Sequence, residues 1–240
     1  MKLVLDTHTH SIASGHAYST IQEMAHAASE KGLELLGISE HASAMEGTCN
    51  EIYFRNLKVI PDTMYGVEML FGIEANIIDY EGNTDVCTRT FECLDYGLAS
   101  LHTNCIKPGS IEENTNAYLR AMENPYINII GHPDDSRFEI DYPQLVEKAK
   151  ETNTLLEINN TSLSPNTLRR NAKSNYYEML ALCAQNEVSI IVNSDAHISY
   201  DVGNFQYAIP LLEEIDFPEK LIANLSVERY KSLLSRKPRP

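Results

Sequence analysis

The chain has 240 residues and a formal net charge of −15, from 19 Lys and Arg against 34 Asp and Glu. That balance argues against nonspecific binding to a nucleic-acid polymer, which depends on basic patches, and no run approaches the roughly 18 apolar residues of a membrane span. The length suits a single domain, residues 1–240, with a substantial core.

The N-terminus, Met1-Lys2-Leu3-Val4-Leu5-Asp6, lacks the apolar region of a signal peptide. The five cysteines, Cys49, Cys87, Cys93, Cys105 and Cys183, are odd in number and form no Cys-x-x-Cys pair. They read as reduced thiols of a cytoplasmic protein.

Strand-like and helix-like segments alternate along the chain. Leu3–Asp6 is a short strand followed by Thr7-His8-Thr9-His10, and His16 completes a cluster of three histidines in nine residues. In extended backbone His8 and His10 share a face, so the pair can grip one metal ion. Thr20 and Glu23 form a capping box for a helix with the apolar stripe Ile21, Met24, Ala25 and Ala28, ended by Gly32. His26 lies off the stripe and reads as a solvated helix residue. The second strand, Leu35–Ile38, ends at Ser39-Glu40-His41. A helical piece over Ile52–Val59 stops at Pro61. Met69–Ile73 is a third strand, running into Glu74. The polar stretch Asp79–Asp85 is a loop or hairpin. Asp95–Leu101 is a fourth strand, running into His102, and a helix over Glu112–Glu123 precedes the fifth, Ile127–Gly131, which ends at His132-Pro133. A helix over Tyr142–Thr152 leads to the sixth, Leu155–Ile158, ending at Asn159-Asn160. A long helix over Asn171–Gln185 leads to the seventh, Val188–Val192, ending at Ser194-Asp195-Ala196-His197. Helices over Phe205–Ile215 and Val227–Ser235 close the chain.

This alternation predicts an α/β fold with parallel strands. Six of the seven strand ends carry a residue type that ligates metal: His8, His10, His41, Glu74, His102, His132, Asp195 and His197. In a closed barrel the C-terminal strand ends converge on one rim, whereas an open doubly wound sheet offers a single crevice. The spread of candidates around the strand ends favours a distorted (βα)7 TIM-like barrel.

The pattern resembles the PHP (polymerase and histidinol phosphatase) family, in particular its small stand-alone bacterial phosphatases. The resemblance rests on Asp6-Thr7-His8-Thr9-His10, His16 with Ala17-Tyr18-Ser19, Ile38-Ser39-Glu40-His41, Gly72-Ile73-Glu74-Ala75-Asn76, Leu101-His102, Gly131-His132-Pro133, Glu157-Ile158-Asn159-Asn160 and Ser194-Asp195-Ala196-His197, in that order over nearly the whole chain. It implies a barrel with up to three metal ions in a rim cleft. Carried over, the first ion takes His8, His10, Glu74 and Asp195. The second takes Glu74 as a bridge, with His102 and His132, and the third takes His16, His41 and His197. Glu40 departs from the pattern, since the family usually has Asp there, in a place to orient His41. Imidazole and carboxylate ligands are compatible with Zn, Mn or Fe.

Such a site implies a metal-dependent phosphatase that cleaves a small phosphomonoester by attack of a metal-bound hydroxide, with Glu74 and Asp195 at the reacting centre. The general acid is a metal-bound water, Asp195 or a histidine. No Gly-x-Ser-x-Gly or P-loop is present, so no phosphoenzyme is expected. Arg169 and Arg170, in the polar loop after the sixth strand, and Lys107 after His102 are candidate phosphate contacts, or solvated surface cations. Asn159 and Asn160 either bind phosphate or a metal water, or cap the strand end. Alternatives are a nucleotide phosphatase or 3′ nuclease, and a non-catalytic metal-holding domain, whose expected mark, missing ligands, is absent. A homo-oligomer is compatible with the sequence.

Overall fold

The computed structural model describes residues Met1–Leu234. Its strands are β1 (Leu5–Asp6), β2 (Leu35–Ile38), β3 (Thr63–Met64), β4 (Val67–Asn76), β5 (Tyr96–Ser100), β6 (Ile127–Ile130), β7 (Leu155–Asn159) and β8 (Ile190–Asn193). Its helices are α1 (Ile21–Glu30), α2 (Glu51–Asn56), α3 (Thr88–Phe91), α4 (Ile111–Ala121), α5 (Tyr142–Thr152), α6 (Ala172–Asn186), α7 (Ala208–Glu214) and α8 (Val227–Leu234). The expected last residue of the final helix, Ser235, lies outside the described residues.

Seven strands pair in parallel in the order β1-β2-β4-β5-β6-β7-β8. The expected barrel is therefore the observed one, and it is nearly closed. The sequence reading missed two elements. One is β3, which folds back antiparallel on β4. Its two-residue turn, Tyr65-Gly66, has φ of 52° and 80°, the left-handed backbone of a type I′ hairpin. Only its second residue advertises that turn, because Tyr seldom takes positive φ. The other is the one-turn helix α3, too short to show a period.

Local rules explain the longer helices. Capping boxes at Thr20/Glu23 and Ser110/Glu113 start α1 and α4. Asp141 caps α5 by accepting from Gln144 N, with Pro143 in its first turn.

The barrel interior is a separate apolar cluster. It contains Leu5, Leu35, Tyr96, Leu98, Ile129, Leu155 and Ile191 from the strands, plugged by Val227 and Tyr230 of α8. Each such aliphatic side chain contributes roughly 1.5–3 kcal/mol when fully buried. Tyr96 fills the centre, and its hydroxyl donates to Thr7 O at 2.7 Å. Room for its ring comes from Gly37 and Gly72, since a Cβ on either would collide with the phenol.

The seam between β1 and β8 has no regular ladder. Backbone contact there is the Thr9–Ala196 bridge, with His10 N donating to Ala196 O at 2.8 Å. Two amides fill the rest. Asn224 Nδ2 donates to Leu5 O and Val192 O at 2.9 and 2.7 Å, and its Oδ1 accepts from Val192 N at 2.7 Å. Asn193 Oδ1 accepts from Thr7 N and Oγ1 at 2.9 and 3.0 Å. Side chains thus replace strand hydrogen bonds, satisfying buried backbone groups that would otherwise be orphaned.

The crowding at Tyr96 is testable. Gly72→Ala would put a Cβ 2.5 Å from Tyr96 Cζ. Overpacking of this kind costs about 1–3 kcal/mol, so urea unfolding of the variant should show a lower midpoint with unchanged slope. A midpoint equal to wild type would mean that the ring yields freely.

Candidate metal centre

Because the strands run parallel, their C-terminal ends share one rim, and the loops there carry the histidines. The chain turns sharply after His10. Ser11 caps a 3-10 turn over Ile12–Ser14, and Gly15, at φ 80°, reverses the backbone so that His16 returns to the rim. Glu40, fully buried, holds this turn by accepting from Ser11 N and Oγ and from Ser14 Oγ. It therefore does not orient the His41 ring, the role its motif position implied. Ser14 Oγ also accepts from His41 N and His10 Nδ1, both at 3.1 Å. Glu40 thus acts on His10 through Ser14.

Glu74 lies at the centre with no exposure to solvent. Its Oε2 is 3.3 Å from His8 Nε2, 3.5 Å from His10 Nε2 and 2.7 Å from His41 Nδ1. Its Oε1 is 3.2 Å from His102 Nε2 and 3.0 Å from His132 Nε2. Asp195 Oδ1 is 3.6 Å from His8 Nε2 and 3.4 Å from His10 Nε2. At the open edge, His16 Nε2 and His197 Nε2 are 3.1 Å apart.

These distances suit a metal better than hydrogen bonds. Four ligand atoms about 2.1 Å from a tetrahedral ion sit about 3.4 Å from one another. The distances from Glu74 Oε2 and Asp195 Oδ1 to His8 Nε2 and His10 Nε2 approach that spacing. Four buried atoms here, His8 Nε2, His10 Nε2, His41 Nδ1 and Glu74 Oε2, have no hydrogen-bond partner. The short His41–Glu74 approach does not change this, because its angles are not those of a hydrogen bond. Buried polar atoms left unpaired in this way are rare and call for an explanation. A cation among them supplies one. Three triads have ligand atoms within 4.8 Å of one another: His8, His10 and Glu74; His41, Glu74 and His102; and His10, His41 and His197. His41 belongs to two of them, so it stands between the position expected for it with His197 and the Glu74 carboxylate.

Besides His10, four rings have their far nitrogen occupied. His8 Nδ1 donates to Glu157 Oε1 at 2.7 Å, His102 Nδ1 to Asn76 Oδ1 at 2.8 Å, His16 Nδ1 to Ser14 O at 3.1 Å and His197 Nδ1 to Asp195 O at 3.0 Å. Such bonds fix the tautomer and leave Nε2 free to ligate. Glu157 also accepts from His132 N, Asn159 Nδ2 and Asn193 Nδ2. The sequence reading gave Glu157 no role, although it lies on the strand whose end lacked a ligand. Two of the candidate ligands hold left-handed backbone, His132 at φ 31° and Asp195 at φ 57°. Strain of this kind costs about 1–3 kcal/mol and clusters at functional sites.

The electrostatics keep the carboxylates charged. Burial would raise Glu74, but the charges of His41, His8 and His102 outweigh it and hold its pKa well below the usual range. Burial would likewise raise Asp195, and His8 and Arg169 hold it well below. Burial lowers His10, with His41 and His197 adding to the effect, and pushes His102 down to about 4. His8 goes the other way. Burial opposes its charge, but Glu157, Glu74 and Asp195 together raise it. A metal ion at His8 Nε2 would replace that proton.

A cleft of about 490 Å³ opens over the centre, lined by His16, His41, Glu74, His102, His132, Asp195 and His197, and by Arg137, Leu168 and Arg169. A larger cavity of about 800 Å³ lies on the other side of Arg169 and contains no histidine. Chemistry, not size, locates the site. Arg169 is the sequence-predicted cation that reaches the cleft. It donates to Asp195 Oδ2 and Ser162 Oγ, both at 2.9 Å. Arg170 and Lys107 are exposed and absent from the lining. Asn159 is buried, donating to Glu157 and to Asp195 Oδ2, and Asn160 Oδ1 accepts from Tyr207 N and Ala208 N at the start of α7. Arg137, which the sequence reading did not single out, lines the cleft braced by Asp135.

Comparison with known proteins agrees with this arrangement. A family model, the PHP domain, matches residues 6–168. The chain belongs to the PHP domain family. It is 45% identical over 237 residues to a protein of Acetivibrio thermocellus named "Probable phosphatase", covering 99% of this chain and 97% of that one. A protein of Caldanaerobacter subterraneus with a "Probable phosphatase" name is 47% identical over 238 residues, covering 99% and 93%. Among solved structures, histidinol phosphate phosphatase from Lactococcus lactis, complexed with zinc, L-histidinol and phosphate, superimposes with a TM-score of 0.59 at 17% identity, covering 89% of this chain and 94% of that one. At that identity the likeness shows the PHP fold.

The protonation states give a prediction for the metal-free PHP domain. His102 titrates near 4 against an ordinary 6.5. Below the ordinary value the unfolded chain binds a proton that the folded chain refuses. The His102 contribution to stability is therefore complete above about 6.5 and is lost as pH falls toward 4. His8 is the opposite case and remains protonated above 6.5. Imidazole resonances followed by NMR against pH should show His102 titrating far more acidic than His8. The reverse order would contradict this electrostatic picture.

Proposed function

We propose that this chain, acting throughout as one PHP domain, is a metal-dependent hydrolase of small phosphoric monoesters. The observation that carries the reading is the convergence of unpartnered, fully buried ligand atoms on Glu74. The phosphatase names of relatives spanning the whole length support it, as does the phosphate bound to a structural neighbour.

Two to three divalent ions, zinc by preference with manganese or iron as alternatives, would be held by His8, His10, Glu74 and Asp195, by Glu74, His102 and His132, and by His16, His41 and His197. When bound they supply Lewis acidity, neutralising charge on phosphoryl oxygens and acidifying a water nucleophile. The chain's own residues do the rest. Glu74 shares its two oxygens between the first two ligand groups. Asp195 faces His8 and His10 with Oδ1 and Arg169 with Oδ2, so it joins the ligand cluster to the half-buried cation of the cleft. Arg169, held on two sides, presents a fixed charge to a phosphate oxygen. The buried floor excludes water, which strengthens each of these interactions.

Elemental analysis of the gently purified protein should find two to three ions per chain. A panel of sugar phosphates, amino-alcohol phosphates, nucleotides and short single-stranded DNA should show the highest kcat/KM for a small monoester. Glu74→Gln should deplete more than one ion and reduce turnover about 10³-fold or more. His26→Ala should change neither, since His26 is exposed on α1 and paired with Glu30. One ion or fewer after remetallation, or equal losses in the two variants, would refute the assignment.

Arg169→Ala should lower kcat as well as raise KM. Removal of a cation that merely met the substrate would appear in KM alone. Here the truncation also strips Asp195 of its charge partner. Steady-state kinetics with wild-type metal content would separate the two cases, and a pure KM effect would mean that the Asp195 pairing is dispensable.

A further inference from the structure

No residue of the hairpin after β4 lines the cleft, yet its base is tied to the residues around Glu74 and His41. Ile77 and Thr84 form an antiparallel bridge, and Asp85 N donates to Asn76 O at 3.2 Å. Asp79 organises the tip, accepting from Glu81 N and Asn83 N, both at 3.0 Å, and from Asn83 Nδ2 at 2.8 Å. Asp85 faces inward. Its Oδ1 accepts from Asn76 N at 2.9 Å. Its Oδ2 accepts from Asn76 Nδ2 at 2.8 Å and from Ala44 N at 2.6 Å. Ala44 lies three residues after His41, and Asn76 two after Glu74.

Asn76 passes this constraint on. It is fully buried, and its Nδ2 donates both to Asp85 Oδ2 and to Ala42 O, the latter at 3.2 Å. Turning the amide over would set its oxygen against two acceptors, so one orientation holds. Its Oδ1 then faces His102 Nδ1 at 2.8 Å. An amide oxygen only accepts, so Nδ1 carries the proton and the Nε2 lone pair is directed at Glu74 Oε1, 3.2 Å away. Two acceptors at that distance repel unless a cation lies between them.

We propose that Asp85 is a remote positioning residue for the metal centre: it joins the chain segments after His41 and Glu74 and, through the Asn76 amide, fixes the His102 tautomer that leaves Nε2 free to ligate. The inference rests on the metal reading proposed above. It assigns a role to a residue outside the ligand set and outside the cleft lining.

The test uses the full chain loaded with zinc. Zinc affinity is measured by competition with a chelator, and the His102 ring by long-range proton–nitrogen correlation in 15N-labelled protein. Wild type should show His102 protonated at Nδ1. Asp85→Asn removes one acceptor from the clasp, and Asn76→Ala removes the acceptor facing His102. Each should weaken one zinc site about 10–100-fold, the usual effect of losing a ligand's supporting hydrogen bond, and each should disturb the His102 signature. Asn76→Asp keeps an acceptor facing His102 and should restore the signature, while its second oxygen, set against Asp85 Oδ2 and Ala42 O, should leave the affinity below wild type. Asp79→Ala, which loosens only the hairpin tip, should leave zinc affinity within about twofold of wild type. Folded Asp85→Asn or Asn76→Ala with wild-type affinity would overturn the proposal. So would an equal loss in Asp79→Ala, which would show a general effect of hairpin folding. If Asp85→Asn does not fold, the Asn76 pair decides: failure of Asn76→Asp to recover the His102 signature that Asn76→Ala loses counts against the proposal. A wild-type chain that takes up no zinc would instead refute the metal reading itself, and this inference with it.

Discussion

A carboxylate without solvent sits at the centre of this protein, ringed by imidazoles of which His10 and His102 have their Nδ1 protons engaged elsewhere. Burying a charge costs several kcal/mol unless it is compensated. Glu74 has five imidazole nitrogens within 3.5 Å, which would look like ample compensation. Yet His8, His10 and His102 have committed their Nδ1 protons to Glu157, Ser14 and Asn76. His10 and His102, which burial keeps neutral, then present Nε2 lone pairs toward Glu74, while His8 keeps a proton there that a cation would replace. Acceptors converging on an anion are stable only if something positive lies among them. A metal ion bound there would couple binding to folding, because it would supply the positive charge that makes this convergence favourable.

The scaffold is built to hold that unfavourable convergence. Each ligand-bearing loop follows a short strand fixed by its neighbours, and the interior cluster around Tyr96 plugs the barrel from below. Where β1 and β8 fail to pair, Asn193 and Asn224 bridge them. Asn193 serves the seam and the site together, since its Nδ2 donates to the same Glu157 oxygen that takes the His8 proton. Positive φ at His132 and Asp195 places backbone strain at two residues of the cluster, as is common at functional sites.

The barrel was legible because it depends on repetition: seven apolar runs of strand length, six of them followed by a polar residue able to ligate. Parallel strands bring such residues to one rim without any knowledge of rotamers. The supporting residues were not legible, since their roles depend on which way a side chain turns. Glu157 and Asn76 lie inside strands, where a sequence pattern assigns a face but no partner. Ser14 acts only because Gly15 permits a left-handed turn. Arg169 and Arg170 are equivalent as text, but in the fold Arg170 donates its backbone N–H to Asp135 and remains exposed, while Arg169 is drawn in by Asp195 and Ser162. The same is true of Glu40, whose longer side chain reaches the Ser11–Ser14 turn and leaves the His41 ring alone.

The central claim is that Glu74 is shared between metal ions. Anomalous diffraction at the zinc absorption edge, from crystals of the zinc-loaded chain, addresses it directly. The account predicts at least two anomalous peaks in contact with Glu74, one beside His8 and His10 and another beside His102 and His132. Zinc-loaded crystals with no peak at Glu74, or with a single peak that leaves His102 and His132 without metal, would contradict it.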